Sequence, residues 1–208
     1  MNIQTQTLKE QEKEFKRAAI IDVAAELFSQ KGFHDVKVDD IASRLGYAKG
    51  TIYLYFENKE KLFNAVVIER SKALYKKLEE VLDCKEMFEG CLRNFIRVYL
   101  EFFRDHAAFF KIMHSEKTRM NMEDHQELHQ YGMESFRLFN TFLSKIMNIA
   151  DQSGYRFQVN HQAAVRALGG LLYSYTFHRI FVNNEGLLED EINEIIKIFL
   201  FGTQLKNS

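Results

Sequence analysis

The chain has 208 residues, a formal net charge of −1 and no proline. Its length is sufficient for one or two domains with a buried core, and the near-zero net charge excludes a global basic field that would attract nucleic acid. Because proline is otherwise routine in turns and at sheet edges, its absence predicts an all-α protein.

Neither the termini nor the apolar stretches indicate a membrane or secreted protein. The opening stretch MNIQTQTLKEQEKEFKR is polar and mixed in charge, unlike a signal peptide. The longest apolar run, residues 163–182, contains charged residues and is expected to be a core helix. Cys84 and Cys91 are expected on one helix, roughly 10 Å apart, too far for a disulfide. We therefore expect a cytoplasmic protein with reduced thiols and no membrane contact.

Apolar residues recur at helical spacing along the whole chain, and glycines or polar clusters separate the periodic stretches. The pattern predicts helices over residues 15–30, 38–45, 49–55, 59–82, 86–104, 107–115, 123–150, 160–183 and 189–205. We expect two domains without a flexible linker between them. They are residues 1–60, with a core at about 15–60, and residues 61–208.

The two short helices predict a helix-turn-helix arrangement, braced by the longer helix before them. Ala42 is small enough to let the short helices approach each other. Gly46 can take the left-handed conformation that the turn requires, and Ile52 is expected to anchor the second helix on the first. Compact helical corners are common, so this pattern alone does not identify a DNA-binding domain.

Three lysines stand where helices are expected to begin: Lys37, Lys49 and Lys59. A helix N-terminus disfavours an exposed cation by about 0.3–1 kcal/mol, whereas a bound phosphate would favour both the lysine and the backbone N–H groups. Three such placements within 23 residues predict a surface that contacts phosphates. Ordinary solvated lysines are the alternative.

The stretch IIDVAAELFSQKGFHDVKVDDIASRLGYAKGTIYLYFENKEKLF resembles the N-terminal domain of the tetracycline-repressor (TetR) family of transcriptional regulators. The matching elements are, in order, A-x-x-L-F-x-x-K-G-F, I-A-x-x-L-G, K-G-T-I-Y-x-Y-F and N-K-E-x-L-F. They cover about the first third of the chain. The resemblance implies that the K-G-T-I-Y-x-Y-F helix is a recognition helix in the major groove of duplex DNA.

The resemblance also implies which side chains meet the DNA. On the recognition helix these are Lys49, Gly50, Thr51, Tyr53, Leu54 and Tyr55. The hydroxyl groups of Thr51, Tyr53 and Tyr55 can donate to phosphates and base edges. Lys59 would contact a phosphate. The family usually has Ser or Thr where Lys37 stands, so we expect this lysine to replace the hydroxyl as a phosphate partner.

The last two predicted helices carry more apolar residues than a single core requires. Two such helices favour a four-helix bundle between two copies of the chain, as the resemblance also implies. A larger core within one copy is the alternative. The predicted dimer interface consists of Ala164, Leu168, Leu171, Tyr175, Ile192, Ile196 and Phe199.

Bulky apolar residues in the remaining helices predict a site for a small effector, with ordinary core packing as the alternative. Asn140 interrupts an apolar stripe, and a buried amide without partners costs about 1–3 kcal/mol, so it should bond a neighbour or face a cavity. Few charges accompany the set, which favours a mostly apolar or aromatic, lipid-like effector. The candidate residues are Phe103, Phe110, Met113, Phe136, Asn140, Tyr173 and Phe177.

Catalytic and metal-binding patterns are not evident in the sequence, and we expect no cofactor. His125, Glu127 and His129 form H-x-E-x-H rather than the H-E-x-x-H of zinc proteases, and a solvated helix face is expected there. The sequence therefore predicts a homodimeric, ligand-responsive transcriptional regulator, a repressor that binds a palindromic operator. One alternative is a structural or division-control protein that binds DNA on the same scaffold without a ligand. The other is a small helical enzyme.

Overall fold

The computed structural model describes residues 3–82, 87–114, 126–182 and 186–203, with side chains at 8–82, 87–114, 130–182 and 186–202. Helices account for most of this part of the chain and no strand occurs in it, which confirms the predicted all-α fold. The helices are α1 (Ile3–Asp35), α2 (Val38–Leu45), α3 (Lys49–Tyr53), α4 (Lys59–Leu82), α5 (Phe88–Asp105), α6 (Ala107–Met113), α7 (Gln126–Gln152), α8 (His161–Phe181) and α9 (Leu188–Thr203).

Two compact units divide the chain. One comprises Met1–Arg70 with Ala108–Gln130, and the other comprises Ser71–Ala107 with Tyr131–Ser208. Helix α4 contributes residues to both. The division predicted from the sequence, residues 1–60 and 61–208, concerns where the two functions reside and stays a prediction.

The first unit is built around α1, which packs on α2, and α2 packs on α3. The apolar face of α1 that begins at Ile20 is buried as the periodicity predicted, and Ile52 of α3 is 1% exposed. The same core includes Ile112 of α6, a helix that the sequence pattern had not linked to this unit. Helix α1 also begins earlier than predicted, because its polar first half lacks the apolar periodicity that revealed the second half.

Two glycines turn the chain in the first unit. Gly32, at φ 78°, interrupts α1 near its end, where the sequence predicted a C-cap. Gly46, at φ 69°, follows α2, and its N–H donates to the carbonyl of Ser43 at 3.2 Å. Side chains with a Cβ rarely adopt this left-handed conformation, so the turn between α2 and α3 depends on glycine.

In the second unit, α5 packs against both α8 and α9, and these two helices also pack against each other. The buried residues of this unit are large and apolar, and many of them are phenylalanines. The fully buried ones include Phe88, Leu92, Phe95, Ile146, Met147, Leu168, Leu172, Ile192 and Ile195. No helix in the described ranges is both long enough and apolar enough to cross a bilayer.

The prediction of reduced cysteines was wrong for Cys91, which is buried on α5 and disulfide-bonded. That prediction assumed one unbroken helix through both cysteines. Instead, α4 ends at Leu82 and α5 begins at Phe88. The only other cysteine of the chain, Cys84, lies outside the described residues.

Candidate nucleic-acid interface

Helix α3 and the two residues after it bury one side chain and leave the others exposed or half-buried. Ile52 packs into the core of the first unit, whereas Tyr53 is 44% exposed and Leu54 is 81% exposed. Lys49 and Gly50 are exposed, while Thr51 and Tyr55 are half-buried. A Cβ at Gly50 would meet no atom within 4 Å, so the backbone is open to close approach there. These are the residues that the sequence predicted for a DNA face.

The start of α2 is stabilised without a hydroxyl cap. Lys37 holds the extended conformation of an N-cap (φ −99°, ψ 147°), but its side chain makes no capping hydrogen bond. Instead, the carboxylate of Asp40 accepts a hydrogen bond from the backbone N–H of Lys37 at 3.3 Å. This is one half of a capping box, and it leaves the exposed ammonium group of Lys37 unconstrained by the cap.

Lys49 has an acidic partner in the structure. Its ammonium group lies 2.7 Å from the carboxylate of Asp39, which belongs to the first turn of α2, and both side chains are about half exposed. The hydrogen bond that Lys49 donates to Asp39, together with the negative charge of that carboxylate, raises the pKa of Lys49 above its ordinary value. The acid therefore offsets the unfavourable placement of a cation at the start of α3. The sequence analysis had missed Asp39.

Lys59 also has partners other than phosphate. Its ammonium group donates to three carbonyl oxygens at the end of α1 and just beyond it, those of Phe33 at 2.9 Å, His34 at 3.3 Å and Val36 at 3.1 Å. It also lies 4.5 Å from the centre of the Phe33 ring. An ammonium group has three N–H donors, so all are occupied. A phosphate contact by Lys59 would compete with these bonds, and we do not include one in the proposal below.

The pair between Asp39 and Lys49 gives a testable expectation. A phosphate that binds Lys49 must replace Asp39, so Asp39→Asn should tighten binding to any duplex about three- to tenfold and steepen the dependence on salt by about one charge. Fluorescence anisotropy at several salt concentrations measures both quantities. In a Lys49→Gln background the same change should have no effect. An equal gain in that background would mean that Asp39 acts by direct repulsion of phosphate rather than through Lys49.

The residues predicted for an effector site are divided between the two units. Phe110 and Met113 belong to the first unit, whereas the other five belong to the second. Phe136 is 66% exposed, and Asn140 donates to the carbonyl of Phe136 at 2.8 Å, so the amide bonds a neighbour on its own helix. Phe103 is buried, and its ring packs against those of Tyr99 and Phe102. The membership of this site remains a prediction.

The predicted dimer interface requires correction, because most of it is internal to one chain. Four of its residues are at most 1% exposed, while Leu171, Tyr175 and Ile196 are half-buried. The exposed apolar surface lies on other sides of the same helices, α8 and α9. We call it the α8–α9 surface, and it consists of Tyr173, Phe177, Phe181, Ile198 and Phe201.

Metal binding finds no support in the described ranges, which contain no group of three or more His, Cys, Asp or Glu residues able to hold an ion. We expected the residues of the H-x-E-x-H pattern to lie on a solvated helix face. Its first histidine, His125, lies outside the described residues, as do the side chains of Glu127 and His129.

Comparison with known proteins agrees with this geometry. Residues 20–66 match the family model of bacterial regulatory proteins of the tetR family. The HTH-type transcriptional regulator YerO of Bacillus subtilis is 33% identical over 135 residues, 62% of this chain and 45% of the relative. The fatty acid metabolism regulator protein of the same species is 29% identical over 136 residues, 65% of this chain and 64% of the relative. The matches thus span about half to two thirds of these relatives.

Among solved structures, FadR of Bacillus subtilis, determined in complex with stearoyl-CoA, is similar with a TM-score of 0.75. The two sequences are 24% identical, and the match covers 89% of this chain and 98% of that one. At this identity the likeness concerns the fold. The fold, the family model and the curated relatives agree with the motifs of the first third of the sequence. Residues 20–66 of the chain thus form a domain of the tetR family of bacterial regulatory proteins.

Proposed function

We propose that the chain is a ligand-responsive transcriptional repressor, which binds a palindromic operator as a homodimer and is released by a mostly apolar or aromatic effector. The observation that carries the proposal is the exposed face of α3. Lys49, Gly50, Thr51 and Tyr53 stand open to solvent or partly open while Ile52 fixes the helix to the core.

This face carries the chemical groups that a protein needs to contact the phosphates and base edges of duplex DNA. Lys37 and Lys49 supply positive charge for phosphates, and the hydroxyl groups of Thr51 and Tyr53 can bond phosphates or base edges. The exposure of Leu54 costs free energy in water, but an apolar side chain can contact the methyl group of thymine. The curated relatives, which are named as transcriptional regulators, support the same reading.

The α8–α9 surface supports a dimer. Three of its rings form a ladder along α8, in which Phe177 lies 6.1 Å from Tyr173 and 4.7 Å from Phe181, measured between ring centres. Large exposed apolar patches mark interaction sites, and a two-fold pair of helices would cover the same patch on both copies. A dimer also suits a recognition helix this short, because two copies are needed to read enough base pairs for specificity.

An apolar effector fits the aromatic interior of the second unit. The similarity to a fatty acid metabolism regulator, and the fold shared with a structure that contains stearoyl-CoA, both support a lipid-like molecule. A regulator released by such a molecule would need different affinities for it in its DNA-bound and free states. The cytoplasm is the compartment that this function requires.

Substitutions on the DNA face test the proposal. We expect Lys37→Ala to weaken binding to all duplexes alike and to lower the salt slope by about 0.9, the contribution of one phosphate contact. Thr51→Ala should instead change the preferred sequence, with a cost of about 1–3 kcal/mol at the affected base pair. A duplex selection with each variant measures both. Unchanged affinity and unchanged preference in both variants would contradict the proposed face.

A further inference from the structure

The first half of α1, residues 3–17, is a polar helix that precedes the part of the chain that matches the family model. In the sequence its charges look mixed, with four cations and three acids. The helix separates them, because each residue turns the side chain by about 100° around the axis. Lys9, Lys13 and Lys16 then lie within an arc of about 60°, and we call these three the cationic face of α1. Lys9 and Lys13 are exposed, and Lys16 is half-buried.

The cationic face lies on the side of α1 that is buried further along the helix. Helical spacing aligns the three lysines with Ile20, Ala24 and Leu27, which are at most 4% exposed. The alignment holds because the interruption of α1 at Gly32 comes later. This buried side packs into the core that α2 and α3 share. A surface helix normally turns its charges away from the core, whereas these lysines point to the side on which the helix-turn-helix lies.

Contacts at the end of the cationic face place it beside α3. The guanidinium group of Arg17, the next cation along α1, lies 5.6 Å from the ring centre of Phe56, the third residue after α3. Lys16 is close enough to Tyr47 and Tyr55 to interact with them electrostatically. These two tyrosines precede and follow α3, and both pack against the same core. The cationic face therefore begins at the edge of the surface that α3 exposes.

The spacing of these charges is unfavourable for a helix that stands alone in water. Lys9, Lys13 and Arg17 follow each other at four-residue intervals, and like charges at that spacing destabilise a helix by about 0.2–0.5 kcal/mol per pair. Acids three residues away offset part of this. Lys16 has an acid four residues before it, Glu12, at 2.6 Å. A polyanion along the face would turn the repulsion into attraction. Duplex DNA carries one charge per about 1.7 Å of its axis, so a face about 10 Å long can meet several phosphates.

We propose that the cationic face of α1 binds the phosphate backbone of duplex DNA next to the bases that α3 meets. The contact with DNA then extends beyond residues 20–66. Because phosphates carry no sequence information, the face raises the affinity for every duplex and leaves the preferred sequence unchanged. The inference rests on the proposed function, since it enlarges the DNA contact of the same regulator.

The test uses the full chain and a fluorescent duplex of about 30 base pairs, long enough for two half-sites and their flanks. We expect the double variant Lys9→Gln, Lys13→Gln to bind at least about tenfold more weakly at about 0.1 M salt. Its salt slope should fall by about 1.8 per copy of the chain, the contribution of two phosphate contacts. Fluorescence anisotropy at several salt concentrations measures both quantities, and circular dichroism checks that the variant is folded.

The double variant Lys76→Gln, Lys77→Gln is the matched control. It removes the same charge from exposed positions of another helix, α4, in the second unit. Its affinity should stay within about twofold of the unchanged chain, with the same salt slope. An equal loss in both double variants, or an unchanged slope in Lys9→Gln, Lys13→Gln, would overturn the inference while the unchanged chain still binds DNA. If the unchanged chain binds no duplex at all, the proposed function fails as well.

Discussion

Lys59→Met is expected to lower the free energy of unfolding of the first unit by about 2–4 kcal/mol. The change keeps the apolar stem of the side chain but removes the ammonium group, so the carbonyls of Phe33, His34 and Val36 lose a charged donor. The contact with the Phe33 ring is lost as well. Thermal and urea unfolding followed by circular dichroism measure the effect.

Lys37→Met is the control for this experiment, because Lys37 is exposed and its side chain makes no capping hydrogen bond. Its unfolding free energy should stay within about 0.5 kcal/mol of the unchanged chain. If Lys59→Met unfolds like the control but lowers the salt slope of DNA binding by about one, then Lys59 contacts a phosphate as the sequence predicted.

Phe177→Asp is expected to convert the proposed dimer into monomers. Phe177 stands in the middle of the ring ladder on the α8–α9 surface and is 39% exposed in one chain. In a two-fold interface the substitution removes two buried rings, each contributing about 2–3 kcal/mol, and buries two charges. A loss of about 4–6 kcal/mol corresponds to a dissociation constant roughly a thousand- to ten-thousandfold higher.

Sedimentation velocity at micromolar concentration measures this change. Met87→Asp is the control, because Met87 is 83% exposed and lies outside the α8–α9 surface, so its replacement should leave the dimer intact. A Phe177→Asp chain that still sediments as a dimer would show that this surface is not the interface. DNA binding should fall with dimerisation, since the monomer presents a single recognition helix.

Local patterns predicted the first unit well. The helix over 38–45 was found as Val38–Leu45, and the next begins at Lys49 as predicted. Short-range signals determine these bounds, namely the glycine after α2 and the apolar anchor in α3. The polar first half of α1 escaped prediction because its described side chains at 8–15 are exposed and carry no apolar periodicity.

Contacts distant in sequence could not be predicted in the same way. A cation before a helix looks unfavourable in sequence, and only the fold brings the end of α1 to Lys59. Likewise, α8 is apolar nearly all round, so its pattern does not say which face turns inward. The structure turns Ala164 and Leu168 inward and leaves Tyr173 and Phe177 exposed, the reverse of the predicted roles.

Selection of duplex DNA by the full chain tests most directly whether two copies of the chain bind DNA through the exposed face of α3. Duplexes that bind the protein are selected from a random pool and sequenced. The affinity of the protein for the most enriched duplex is then measured at several salt concentrations. We expect an inverted repeat whose half-sites lie one helical turn, about 34–36 Å, apart, with an affinity that falls steeply with salt. Failure to enrich any sequence, or enrichment of single half-sites alone, would contradict the account.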